Sequence, residues 1–223
     1  MSQNPNTIMV DGDYIREFHP RLDEIKERFS VNYPKMTQPF VNRAVEQLID
    51  ELSKEKYNLI IEGTLRDINI PKKTAHILNE RDYIVELYVI ATNKELSWQS
   101  TIDRGDKMIE EGKVPRYVDR KHHDSIVDRL PETVKELVEQ DLFYNVIIMN
   151  RETEIIYDKN NSHDLDPEVI MENSLNGMHV KSIDDINRER VEAEKLKNTI
   201  SLKNMSADKN YIHKNTLDLD MDR

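Results

Sequence analysis

Two acidic strand ends hold the residues of this chain best suited to chemistry. Ile60-Ile61-Glu62-Gly63-Thr64-Leu65-Arg66 puts a carboxylate, a glycine, a hydroxyl and a guanidinium at the end of an apolar run. Upstream, Ile8-Met9-Val10-Asp11-Gly12-Asp13 ends another run in two carboxylates. A carboxylate can accept or orient the proton of an attacking hydroxyl, and a guanidinium forks onto phosphate oxygens. The pair reads as the acceptor side of a small-molecule kinase. The donor side is cut short: of five glycines (Gly12, Gly63, Gly105, Gly112, Gly177), none belongs to a Gly-x-x-x-x-Gly-Lys-Ser/Thr loop.

Phosphoryl transfer needs a group to take or orient the hydroxyl proton and cations to neutralise charge on the transferred group. Asp13, just after Gly12 at a strand end, is the candidate base; the alternative is that Asp-Gly-Asp makes a tight turn and caps a helix. Glu62 follows three apolar residues, so it lies at the mouth of a cleft or is buried and paired; the alternative is an exposed strand end without a role. Arg66, two residues beyond Thr64, can reach the same pocket. Arg104 and Arg116, separated by a helical end and the loop Gly112-Lys113-Val114-Pro115, could converge on a nucleotide, although two arginines alone are more often in surface ion pairs. His122-His123-Asp124 offers no third ligand at metal-binding spacing and reads as structural. Trp98 reads as core or rim rather than a stacking platform.

These groups need a scaffold. Thr7 to Val10 is a short apolar run; Val41, Ala44, Val45, Leu48 and Leu52 recur at helical spacing before the strand Leu59-Ile60-Ile61. A helix from Ile70, with Pro71 in its first turn, precedes a strand at Val85 to Ile90. Helices are expected over 94–112 and 120–141, then a strand at Asn145 to Met149 and a short one at Glu154 to Tyr157 that can pair with it. Strands with few polar interruptions, alternating with helices, predict an α/β fold with a mostly parallel sheet covered on both faces. Ligands gather at the carboxyl ends of such strands, where Asp11, Asp13, Glu62, Thr64 and Arg66 fall.

With 223 residues, 37% hydrophobic and 34% charged, the chain can bury one sizeable core and carry a polar extension. Residues 1–160 read as that core. Residues 161–223 read as a polar helical extension with a narrow apolar stripe (Ile183, Ile186, Val191, Ala193, Leu196) and a disordered tail from about Ser201. A net charge of −11 argues against broad attraction to nucleic acid or an anionic membrane. The absence of cysteine excludes disulfides and thiolate chemistry, no apolar run spans a bilayer, and no signal-peptide pattern opens the chain, so a cytoplasmic location is expected.

The blocks Val10-Asp11-Gly12-Asp13-Tyr14-Ile15-Arg16-Glu17-Phe18-His19-Pro20, Asn42-Arg43-Ala44-Val45-Glu46, Tyr57 through Arg66, and Thr101-Ile102-Asp103-Arg104 resemble, in order and spacing, those of the zeta toxin family, P-loop kinases of bacterial toxin-antitoxin systems. The resemblance spans roughly residues 6–157. It implies phosphorylation of the sugar hydroxyl of UDP-N-acetylglucosamine by ATP with Mg²⁺, and an antitoxin partner. By position it makes Asp13 the catalytic base, Glu46, Glu62, Thr64 and Arg66 the sugar-nucleotide pocket, and Arg104 and Arg116 the groups on the transferring phosphate and nucleotide. Glu46 has no signal apart from the resemblance; on its helix it reads as a polar-face residue.

One departure stands beside these matches. The family places a strand, the glycine-rich loop and a helix before Asp-Gly-Asp, and here twelve residues precede Asp13. The expectation is a P-loop-type sheet lacking its first strand and Walker A loop, with backbone and lysine donors for the β-phosphate and the hydroxyl ligand of Mg²⁺ missing. Such a chain is either a truncated kinase or a noncatalytic remnant that binds the nucleotide sugar or an antitoxin without turnover.

Overall fold

A computed structural model describes residues 6–162, 164–195 and 197. The chain divides into two compact units, the first ending at Val180 and the second beginning at Lys181. Among the described residues the first contains five strands, β1 (Thr7–Val10), β2 (Asn58–Ile61), β3 (Glu86–Ile90), β4 (Asn145–Met149) and β5 (Ile155–Asp158). Its helices are α1 (Gly12–Arg16), α2 (Leu22–Phe29), α3 (Tyr33–Lys54), α4 (Asn69–Asn79), α5 (Lys94–Glu110), α6 (Arg120–Val127), α7 (Leu130–Glu139) and α8 (Pro167–Leu175).

The fold is α/β with parallel pairing, as the alternation of strands and helices predicts. β1 pairs parallel with β2, and β3 parallel with β4, while β5 returns antiparallel to β4. The strands form two sheets, β1-β2 and β3-β4-β5, rather than one. Residues that pack against both halves of the core join them. On α4, Leu78 lies in the cluster of Val10, Ile15 and Ile49, whereas Ala75 lies with Leu137, Phe143 and Val146. Val85 packs against both groups. β4 is buried over four successive residues, which is why its sequence is apolar without alternation. β2 and β3 alternate instead, leaving Ile60, Tyr88 and Ile90 exposed.

Helix ends follow their local chemistry. The helix anticipated over 120–141 is two, α6 and α7; Pro131 stands in the first turn of α7, where its missing N–H costs nothing, but it cannot continue α6. α3 begins earlier than its apolar stripe indicates, with Pro34 in its first turn. α8 is capped by Asp166, which accepts from the Glu168 N–H at 2.9 Å, and buries Ile170 and Met171 with Val134 and Ile148. The described part of the second unit is helical from 183. Ser182 Oγ accepts from the Asp185 N–H at 3.1 Å, and Lys181 Nζ reaches both Glu189 oxygens at 2.7 Å. The tail anticipated from Ser201 lies outside the described residues. No described helix is long and apolar enough to cross a membrane.

Candidate active site

The site begins with strand register. Val10 pairs with Ile61 across the parallel β1–β2 ladder, so both strands end at the same edge, and the next residues are Asp11 and Glu62. The Glu62 N–H donates to Val10 O at 3.1 Å, which carries the ladder one residue beyond the strand. Asp11 caps α1, its Oδ1 accepting from the Asp13 N–H at 2.8 Å. The cap reading and the catalytic reading of Asp-Gly-Asp therefore apply to different residues: Asp11 caps, and Asp13, in the first turn, is left to present its carboxylate. A Cβ on Gly12 would stand 3.2 Å from Val41 Cγ1, so the glycine lets α3 pack close under this turn.

Two arginines hold Asp13. Arg116 is ion-paired with Asp13 Oδ1, and Arg16 Nη2 lies 3.6 Å from the same oxygen. Arg16, only 4% exposed, is fixed to α3: Nη1 donates to Pro34 O at 2.9 Å and Thr37 Oγ1 at 2.5 Å, and Nη2 to Gln38 Oε1 at 3.1 Å. Burial pushes the Asp13 carboxyl upward, but the hydrogen bond from Arg116 and the charges of Arg116, Arg16 and Arg104 outweigh it and hold the group below the usual aspartate range. Glu62 moves the other way: burial, with the charges of Asp11 and Asp13, raises it against the pull of Arg104 and Arg116. Three carboxylates and three guanidiniums thus share one electrostatic neighbourhood. Such pairs of carboxyls pushed in opposite directions are typical of sites that separate base and binding roles.

A glycine brings Arg104 and Arg116 to this neighbourhood. Gly105 is buried within α5, and a Cβ there would lie 2.2 Å from Tyr117 Cε1, inside any tolerable contact. Tyr117 therefore lies against the bare backbone of α5, its hydroxyl donating to Asp106 Oδ1 at 2.7 Å. Because Arg104 and Arg116 adjoin Gly105 and Tyr117 in sequence, this contact docks the segment bearing Arg116 onto the helix bearing Arg104.

The remaining sequence candidates divide. Thr64 and Arg66 are exposed on the segment after β2, on either side of Leu65, which adopts φ +53° and packs into the core. A left-handed leucine costs about 1–2 kcal/mol, offset here by its apolar contacts, so the strained residue anchors the loop. Glu46 is engaged elsewhere, its Oε1 2.9 Å from Lys73 Nζ on α4 in an exposed pair. Sequence reasoning gave no role to Arg16. The available signal was its spacing, since a residue three positions after Asp13 on a helix lies on the same face.

The His122-His123-Asp124 run is structural. His123 is buried, with Nδ1 3.0 Å from Asp124 Oδ1 and Nε2 3.2 Å from Ser97 Oγ on α5. Trp98 meets its ring edge-on at 5.5 Å and carries the Arg120 guanidinium at 5.1 Å. These contacts tie α6 to α5. Among the described residues no group of three His, Cys, Asp or Glu could hold a metal ion, and the sequence has no glycine-rich phosphate loop. The described residues thus offer no all-protein cage for a metal ion, while Arg104 and Arg116 are cationic groups of the kind that fork onto a phosphoryl group.

Comparisons with known proteins agree with the sequence blocks. Residues 1–162 match the profile of the family described as zeta toxin. Toxin PezT of Streptococcus pneumoniae is 37% identical over 154 residues, covering 69% of this chain and 61% of its own length. Toxin zeta of Streptococcus pyogenes is 32% identical over 172 residues, covering 77% and 60%. A chain from the solved PezAT chromosomal toxin-antitoxin system of Streptococcus pneumoniae superimposes with a TM-score of 0.68 at 30% identity, covering 85% of this chain and 74% of that one. This chain spans about three fifths of the length of the curated relatives it matches.

Proposed function

Because the chain belongs to the zeta toxin family, we propose that it carries the acceptor and phosphoryl-handling groups of a sugar-nucleotide kinase, acting on the sugar hydroxyl of UDP-N-acetylglucosamine as the toxin of a toxin-antitoxin pair. Asp13 receives the proton of the attacking hydroxyl. Arg104 and Arg116 take charge developing on the phosphoryl group transferred from a nucleoside triphosphate, and Glu62, with Thr64 and Arg66, holds the nucleotide sugar, which Glu46 joins only by leaving Lys73. The single observation that carries this reading is the Asp13–Arg116 ion pair at the shared carboxyl edge of β1 and β2, where Glu62 follows β2 and the charge of Arg104 acts on both carboxylates.

The chemistry assigned to protein groups follows from charge. A carboxylate held ionised by neighbouring guanidiniums is a weak base in the ground state. It gains basicity when an anionic phosphate draws an arginine away, which is when the hydroxyl must lose its proton. The donor nucleotide and Mg²⁺ stay within the proposal as family expectations, and no step is routed through the metal. The second reading is binding of the nucleotide sugar without turnover.

Mass spectrometry of UDP-N-acetylglucosamine incubated with the chain, ATP and Mg²⁺ separates the two. A gain of one phosphate that is lost in Asp13→Asn supports the kinase. No such gain, with the unmodified nucleotide sugar co-eluting with the chain on size exclusion, supports the binding module. Product that persists in Asp13→Asn would remove Asp13 from the base role.

A further inference from the structure

We propose that Arg16 is the fixed positioning residue of the site and Arg116 its movable counterpart: Arg116 leaves Asp13 for an anionic phosphate, while Arg16 stays and keeps the carboxylate aimed and ionised. The inference rests on the kinase reading of Asp13 and deepens it. What separates the two arginines is how each is held. Arg16 has three hydrogen bonds to Pro34, Thr37 and Gln38, all on the 22-residue α3, and its side chain is 5% exposed. Arg116 comes from the segment between α5 and α6, which has no helix or strand, and its side chain is 20% exposed.

Burying a guanidinium is costly, and an apolar side chain of similar size would generally serve stability as well or better. Arg16 bears a further cost, because its Nε is buried with no hydrogen-bond partner. A side chain whose tip is tied at three points and whose Nε is left unsatisfied is placed for its charge. That charge has Asp13 beside it, and Thr37, fully buried, is the acceptor that sets the guanidinium plane. The groups around Asp13 come from every element that meets there: Asp11 at the start of α1, Arg16 at its end, Tyr33 on α3, Glu62 after β2, Arg104 on α5 and Arg116 beyond it. With Arg116 withdrawn, Asp13 would face the negative charges of Asp11, Glu62 and the incoming phosphate. Arg16 is the cation that α3 prevents from following.

The test uses the 223-residue chain with inorganic pyrophosphate as the probe and no nucleotide sugar present. Its readouts are the arginine Nε–H resonances and the Asp13 carboxyl carbon by NMR. Pyrophosphate should shift the Arg116 resonance and leave that of Arg16 in place. The Asp13 titration midpoint should move upward yet remain below the ordinary aspartate range. In Arg16→Gln the same addition should carry the midpoint into or above that range, and Arg16→Lys, which keeps the charge but loses the bonds to α3, should fall between. Arg16 moving with Arg116, neither arginine responding, or an Asp13 midpoint identical in wild type and Arg16→Gln would each overturn the proposal. The wild-type arginine spectra decide the point even if both substitutions fail to fold. Product formation from the nucleotide sugar alongside a failed arginine test would leave the kinase reading intact and reject this assignment alone.

Discussion

Arg116 is ion-paired to the Asp13 carboxylate, so the residue that a transferred phosphate would claim rests on the residue that would act as base. The pairing leaves both charges compensated, and in the proposed mechanism it would couple phosphate binding to release of the base. Arg116 itself is pulled down by burial, but Asp13 more than compensates and raises it.

The pH dependence of stability follows from the same pair. The folded-state pKa of Asp13 is depressed, so its contribution is present above the ordinary aspartate range and is lost as pH falls through the folded value. Urea unfolding of wild type and Asp13→Asn should show wild type more stable at neutral pH, with the gap closing in that acid window. A gap independent of pH would show that the carboxylate is not held by the arginines.

Gly105→Ala sets helix propensity against packing. An exposed helical glycine replaced by alanine gains about 1 kcal/mol, yet here the new methyl would meet the Tyr117 ring at 2.2 Å. The ring should give way, so pyrophosphate affinity is expected to fall while helix content by circular dichroism stays unchanged. Adding Tyr117→Ala should recover stability beyond the sum of the single effects in a double-mutant cycle. Additive effects would mean that the two positions do not touch.

Two lysine and arginine contacts should differ in weight. Lys73→Ala removes an exposed pair with Glu46 and is expected to cost less than about 1 kcal/mol. Arg81 bonds Asp50 Oδ1 at 2.5 Å, Asp50 O at 2.8 Å and the buried Ser53 Oγ, tying the end of α4 to α3. Arg81→Ala should cost about 1–3 kcal/mol. Thermal unfolding that reverses this order would contradict the burial assigned to these groups.

Leu65→Gly would relieve about 1–2 kcal/mol of left-handed strain but give up, for a partly buried side chain, a share of the about 1.5–3 kcal/mol that full leucine burial is worth. Glycine also adds about 0.5–1 kcal/mol of chain entropy. A net loss of roughly 1 kcal/mol in chemical denaturation is expected from the balance of these magnitudes. A gain in stability would show that Leu65 does not anchor the loop carrying Thr64 and Arg66.

Much of the scaffold was legible because its signals are local. Apolar runs ending in Asp11 and Glu62 located β1 and β2, and the unbroken Val146-Ile147-Ile148 marked a buried strand. Strand-end acids alone placed Asp13 and Glu62 at a shared edge. The split into two sheets was not legible, since pairing depends on contacts that no window of sequence contains. α8 was obscured because the preceding polar stretch, Asn160-Asn161-Ser162, reads as a break, although Asp158 and Ser162 hold it as an ordered turn. Arg16 was missed for a related reason: a buried arginine and an exposed one look the same in sequence, and only the position of α3 distinguishes them.

Calorimetric titration of UDP-N-acetylglucosamine into the 223-residue chain tests the acceptor site most directly. Binding that weakens about tenfold in Glu62→Gln, which removes the charge and turns one acceptor oxygen into a donor, is the predicted result. No binding, or binding indifferent to Glu62→Gln, would contradict a nucleotide-sugar site at the shared edge of β1 and β2.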